Sequence, residues 1–174
     1  MDEDEIRNKR AYEWVFGRNL NGELSLGVKK NAHVPAYAIG LKDVSTKQIC
    51  SSSNHTILLG SNGKTFLSGS KLHGKLGKNA DTGILTIFKE VPMKNLVKQV
   101  ACNDYMTLCL LQDSSVVQIH ESGPKLISAL SGITITDIDC GEHHSLALDS
   151  NGDVYSWGTP TQQYNKGQLG HCDR

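Results

Sequence analysis

Ser145-Leu146-Ala147-Leu148-Asp149-Ser150-Asn151-Gly152-Asp153-Val154-Tyr155-Ser156-Trp157-Gly158 is a pair of short apolar runs on either side of a turn, and two upstream stretches repeat it without a gap. Thr56-Ile57-Leu58-Leu59-Gly60-Ser61-Asn62-Gly63-Lys64-Thr65-Phe66-Leu67-Ser68-Gly69 and Thr107-Leu108-Cys109-Leu110-Leu111-Gln112-Asp113-Ser114-Ser115-Val116-Val117-Gln118-Ile119-His120 keep the same apolar and turn positions. A partial copy, Glu13-Trp14-Val15-Phe16-Gly17, lies over Val154 to Gly158. Thr56 and Thr107 are 51 residues apart and Gly17 and Gly69 are 52 apart, whereas Thr107 and Ser145 are 38 apart, so one unit is shorter by 13. A recurring period of this size marks an array, a solenoid or a propeller.

Each unit reads as β structure. Asn-Gly at Asn62-Gly63 and Asn151-Gly152 is a hairpin signal, because positive φ at both central residues suits a tight turn between strands. Asp113-Ser114 stands at that place in the third copy, and the left-handed conformation costs these residues more than glycine, so a different turn is expected there. Tyr155 and Trp157 alternate with Val154 and Ser156, the period of a strand. A further apolar run precedes each hairpin: Lys47-Gln48-Ile49-Cys50, Leu96 to Ala101, and Ile133 to Asp139. After the hairpin come glycine-framed loops, Gly17 to Leu24, Gly69 to Gly77 and Gly158 to Gly170, in which Gly22, Gly74, Gly167 and Gly170 allow sharp turns and Leu24 or Leu169 can plug the gap between sheets. The third copy lacks this loop. Beyond a weak turn near Pro124 to Leu130 there is no capped amphipathic segment. The fold class is all-β.

Composition narrows the function. Among 174 residues, 38% are apolar and 21% charged, a globular balance. Eighteen basic and eighteen acidic residues cancel, so no overall field draws the chain to nucleic acid or anionic lipid. No run approaches the roughly 20 apolar residues of a membrane span, and Met1 to Arg10, acidic then basic, resembles no signal or transit peptide. Five cysteines without a Cys-x-x-Cys pair argue for reduced thiols rather than a disulfide framework or zinc ribbon. The expected place is intracellular, cytoplasmic or nuclear.

With Cys140-Gly141-Glu142-His143-His144-Ser145, Val154 to Gly158 and Gly167-Gln168-Leu169-Gly170 in this order, the chain resembles the repeats of the regulator of chromosome condensation family, a β-propeller fold also met in the β-lactamase inhibitory protein type II class. The match is strongest over Asp137 to His171 and weakest over Val97 to Gly123. The resemblance implies a partial β-propeller of about three four-stranded antiparallel blades with incomplete terminal units. The expected organisation is a flexible tail over 1–11 and a repeat region over 12–174, with units at about 12–68, 69–119 and 120–157 and a partial one at 158–174. Seven such blades would need roughly 360 residues, so the chain is expected to be the N-terminal part of a longer propeller, or to close its ring by association. An arc with an uncovered end face should aggregate or self-associate. Where the family repeat places glycine and histidine, Gly141 and His144 here, one unit has Ser52 and His55 and another has Asn103 and Met106, which favours a structural role for that histidine.

Several chemistries are considered and set aside. Gly69-Ser70-Lys71-Leu72-His73-Gly74-Lys75 has the spacing of a phosphate-binding loop, but Leu76 stands where the magnesium ligand belongs and no helix follows. Cys140, His143, His144, His171 and Cys172 fit no zinc pattern; of the adjacent histidines, one is expected to bond backbone in its turn and the other to be solvated. Trp14, Tyr155 and Trp157 read as core aromatics rather than a stacking set. No nucleophile or acid/base pair is recognisable, so no enzyme, cofactor or metal is expected.

The remaining class is a protein-interaction scaffold whose contacts lie on loops carried by a rigid frame. Candidate contacts are Arg18, Asn19, Lys71, His73, Gln162, Gln163 and Tyr164, and the structural motif comprises Gly17, Gly22, Gly63, Gly69, Gly74, Gly77, Gly141, His144, Gly152, Trp157, Gly158, Gly167, Leu169 and Gly170. The resemblance also implies two alternatives: guanine-nucleotide exchange on a small Ran-like GTPase, and a regulatory repeat segment of a larger kinase or ubiquitin ligase.

Overall fold

The computed structural model describes residues 13–72, 83–158 and 167–170. The described strands form four antiparallel sheets. A two-stranded sheet pairs β1 (Trp14–Gly17) with β2 (Ala32–Tyr37). A four-stranded sheet follows in the order β3 (Thr46–Ser51), β4 (His55–Gly60), β5 (Thr65–Ser70), β6 (Ile84–Val91). A second has β7 (Val97–Cys102), β8 (Thr107–Leu111), β9 (Val116–His120) and β10 (Gly123–Leu126), and a three-stranded sheet has β11 (Ile135–Cys140), β12 (His144–Asp149) and β13 (Val154–Gly158). This is the all-β, partial-propeller architecture expected, with two complete blades between two partial ones. Sequence units and sheets are staggered: the boundary placed after residue 68 falls inside β5. No helix among the described residues is long and apolar enough to cross a membrane.

The blades stack because their middle strands are apolar on both sides. Every residue of β4 and β8 is buried, and alternate side chains feed opposite cores. Ile57, Leu59 and Leu67 of the first blade meet Val97, Val100, Cys109, Leu111 and Ile119 of the second. On its other face the second blade sends Leu108, Leu110 and Val116 against Ile135, Ile138 and Ala147 of the third, where Tyr155 and Trp157 also pack. Each fully buried Leu or Ile contributes roughly 1.5–3 kcal/mol relative to exposure. Trp14 departs from its expected core role: it is 57% exposed and leans on Tyr37, ring centroids 4.0 Å apart, because no blade among the described residues covers that side of the β1–β2 sheet.

The three hairpins share one turn. Gly63 N–H donates to Gly60 O and Gly60 N–H to Lys64 O; the same two bonds join Ser114 to Leu111 with Leu111 to Ser115, and Gly152 to Asp149 with Asp149 to Asp153. Only the last loop residue is left-handed, with φ of 78° at Gly63, 67° at Ser114 and 91° at Gly152. This is a type I turn with a bulge rather than the expected turn with two positive φ values. Nor does the third hairpin differ: Ser114 adopts the glycine conformation, and Asp113 Oδ1 accepts from Ser115 N–H and Oγ–H across the turn.

The 13-residue shortening also has a cause. β5 and β6 are joined by residues 71–83, whereas β9 and β10 are joined by Glu121 and Ser122 alone. The stretch expected to hold a weak turn contains β10 and a single 3-10 turn, Ser128–Leu130.

Candidate partner-binding rim

Antiparallel pairing sends the loops of successive sheets to one of two rims. The three hairpin turns share one rim. The opposite rim collects the β1–β2 loop, the links β3–β4, β7–β8 and β11–β12, the β9–β10 connection, and Lys71 and Leu72 at the end of β5, because Gly69 pairs with His55 and Gly158 with His144 at that end.

Three equivalent turns form the base of this rim, each closed by one backbone bond: Ser52 N–H to His55 O at 2.9 Å, Asn103 N–H to Met106 O at 3.0 Å, and Gly141 N–H to His144 O at 2.9 Å. The side chains solve the same geometry differently. His55 is fully buried, with Nδ1 2.7 Å from Ser52 Oγ and Nε2 2.9 Å from Thr107 Oγ1, which ties the first blade to the second. Asn103 accepts from Met106 N–H and donates Nδ2–H to Gly141 O at 2.8 Å, tying the second blade to the third. At Gly141 a Cβ would lie 2.1 Å from His144 Cε1, so the imidazole of His144 occupies the space glycine leaves. Gly69 and Gly158 are required by the strand beside them, since a Cβ would stand 2.5 Å from Asn54 O or His143 O.

These contacts favour the structural reading of the histidine in this motif. They correct the reading of its neighbour: His143 is not solvated but packs on Tyr105 of the adjacent blade, centroids 5.1 Å apart, with its Nε2 3.5 Å from Glu142 Oε1. Above this layer Asp104 receives Ser53 N–H at 2.9 Å and Ser53 Oγ–H at 2.6 Å. The rim is therefore braced from blade to blade.

The expected contacts fall unevenly on it. Arg18 is exposed and Lys71 half-buried. Asn19 is not a contact residue: it is fully buried, its Nδ2 donates to Val28 O and Lys30 O at 2.7 and 3.2 Å, and its Oδ1 accepts from Leu24 N–H at 2.8 Å. Enclosed in this way it folds the β1–β2 loop on itself. His73, Gln162, Gln163 and Tyr164, with Gly74 and Gly77, lie outside the described residues. Gly22 closes against the Leu85 carbonyl, and Leu169 O accepts Ser156 Oγ–H at 2.6 Å in the turn closed by Gly170 N–H to Gly167 O.

Residues that the sequence reading passed over carry the blade–blade junctions. Gln48 Nε2 donates to Val100 O at 2.9 Å while its Oε1 accepts from Val100 N–H at 3.0 Å. Gln99 repeats this toward the third blade, donating to Ile138 O at 3.0 Å and accepting from Ile138 N–H at 3.3 Å. The signal was the dipeptide Lys47-Gln48 recurring as Lys98-Gln99 at the repeat offset of 51. Asp137 holds the matching place in β11, where Gln48, Gln99 and Asp137 pair with Leu59, Leu110 and Leu148.

Known proteins align with this arrangement. Residues 135–163 match the regulator of chromosome condensation (RCC1) repeat. The human E3 ubiquitin-protein ligase HERC2 is 28% identical over 167 residues, which are 86% of this chain and 3% of HERC2. The serine/threonine-protein kinase Nek9 of Xenopus laevis is 27% identical over 154 residues, 85% of this chain and 14% of Nek9. Among solved structures, Prp20p from Saccharomyces cerevisiae superposes with a TM-score of 0.79 at 19% identity, over 100% of this chain and 48% of its own. Human WBSCR16 gives 0.78 at 18% identity, over 86% and 44%. The chain thus spans a small part of these curated relatives and less than half of these solved folds. Its strand pattern, its repeated turn and these likenesses together make it similar to an arc of repeats of the regulator of chromosome condensation family.

Proposed function

We propose that this arc is a non-enzymatic protein-binding scaffold that holds its partner on the rim opposite the hairpin turns. The supporting observation is that links from three successive sheets are locked together there by Ser53–Asp104, His55–Thr107 and Asn103–Gly141, which fixes the loops above them. A rigid frame lowers the ordering cost of binding. Arg18 and Lys71 are the described contacts assigned to it, and Gln162, Gln163 and Tyr164 are proposed as further contacts from the sequence alone. Matches inside a ubiquitin ligase and a kinase support a repeat segment that serves a larger protein; its proposed place of work is the cytoplasm or nucleus.

Charge reversal at Arg18 and Lys71, combined with Gln162→Ala, Gln163→Ala and Tyr164→Ala, should abolish partner capture at unchanged melting temperature, while Lys94→Glu on the other rim should leave capture intact. Equal loss from both variants would sink the rim assignment. The second reading, guanine-nucleotide exchange, is brought in by the likeness to Prp20p, a protein described with its binding to Gsp1p and histones. It predicts accelerated nucleotide release from a purified Ran-like GTPase, where a scaffold leaves the intrinsic rate unchanged.

A further inference from the structure

The innermost strands of the two complete blades bring two thiols together. Cys50 on β3 and Cys102 on β7 have Sγ atoms 2.9 Å apart, and Cys102 N–H donates to Cys50 Sγ at 3.1 Å. Neither is in a disulfide. A disulfide is about 2.05 Å long, so bond formation asks for less than about 1 Å of approach. The strands are also held in register two residues earlier, where Gln48 grips both polar groups of Val100. Cys50 is partly exposed and Cys102 buried, which orders them as an attacking and a resolving thiol.

We propose that Cys50 and Cys102 form a redox-active dithiol that closes to a disulfide by exchange with a small-molecule disulfide such as oxidised glutathione, stapling the first complete blade to the second. The Cys50 thiolate attacks one sulfur of the oxidant, whose S–S bond breaks and releases one thiol. Cys102 then gives up its proton and attacks Cys50 Sγ; the mixed disulfide breaks and the second thiol leaves. The protein loses two hydrogens and the oxidant becomes two thiols.

The environments of the other described cysteines set this pair apart. The Cys102 thiol and backbone N–H, hydrogen-bonded to Cys50 Sγ, draw the Cys50 thiol down to about 7 against the opposing effect of burial. Burial pushes Cys140 up to about 12 and Cys109 higher still. Reactivity follows the thiolate. At the next junction the places of Cys50 and Cys102 are held by Ala101 and Cys140, as their pairing with Leu108 and Ser145 shows, so that junction has a single thiol and cannot close.

Treating the reduced 174-residue chain with oxidised glutathione and mapping the product by mass spectrometry tests this. The expected result is loss of two hydrogens, one cross-linked peptide pair joining Cys50 to Cys102, and a melting temperature raised by on the order of 5–10 °C. Cys102→Ala should stop at a stable glutathione adduct on Cys50, and Cys50→Ala should leave Cys102 unmodified. Three outcomes would overturn the proposal: an adduct persisting on Cys50 in the wild type, a native cross-link of Cys50 or Cys102 to Cys109, Cys140 or Cys172, or no reaction of Cys50 under conditions in which the urea-unfolded chain is oxidised. Mapping of the wild type decides the matter even if either variant folds poorly.

Discussion

The two complete blades and the partial sheets flanking them are built from similar strands, yet they bury themselves to very different extents. Ile57, Leu58, Leu59, Leu67, Leu108 and Leu110 in the middle have no exposed surface. At one end Phe16 is 67% exposed and Val34 71%, and at the other Val154 is 65% exposed. A strand in this fold is no more stable than its neighbours make it, since both faces of each sheet need a cover. Stability is therefore concentrated at the junctions between blades, as in other stacked-repeat proteins.

The largest test of that contrast is a pair of truncations. Leu110→Ala should cost about 2–5 kcal/mol by urea unfolding, while Val154→Ala should stay within about 0.5 kcal/mol. Similar costs would mean that the end face is covered in solution, as expected if copies associate through it. A finer test compares the repeated amide with its counterpart at the open end. Gln48→Ala leaves the N–H and C=O of Val100 without their partner and should cost about 1–3 kcal/mol; Asp137→Ala, which removes an acceptor for Gln99 Nε2 and Ile138 N–H but no bond to the backbone of a further described blade, should cost less. Parity between them would show that the amide bonds add nothing specific to the junction. The smallest effect lies in the turns. Ser114→Gly should stabilise by about 1 kcal/mol, because serine holds a left-handed φ of 67°. A loss instead would show that the Asp113–Ser115 brace depends on the serine backbone.

The hairpins and inner strands were legible because turn residues and alternating apolar positions recur at fixed offsets. The outer strands β2 and β6 were not. β2 carries Pro35 and is largely exposed, features that lower a strand signal although an edge tolerates both, and β6 follows a long loop that breaks the repeat spacing. The third turn was misread because glycine preference speaks for the backbone alone, whereas Asp113 accepts from Ser115 N–H and Oγ–H and so spans the left-handed Ser114 between them. Asn19 misled for a related reason. A polar residue in a surface loop looks like a contact until its amide is seen to satisfy three backbone groups inside that loop. Tyr155 and Trp157 packed as their alternation suggested, while Trp14 shares their sequence setting and lacks the neighbour that would cover it.

The glutamine bridges have a consequence for how such chains can change over generations. Gln48 reaches the peptide group of Val100 and Gln99 that of Ile138, groups that every residue but proline supplies, although Gln99 also donates to the Asp137 carboxylate. A duplicated or transplanted unit would find its latch waiting whatever its composition, so a gene could gain or lose modules without a matching substitution next door. Lineages could then vary in module number while the latch residue stays the same.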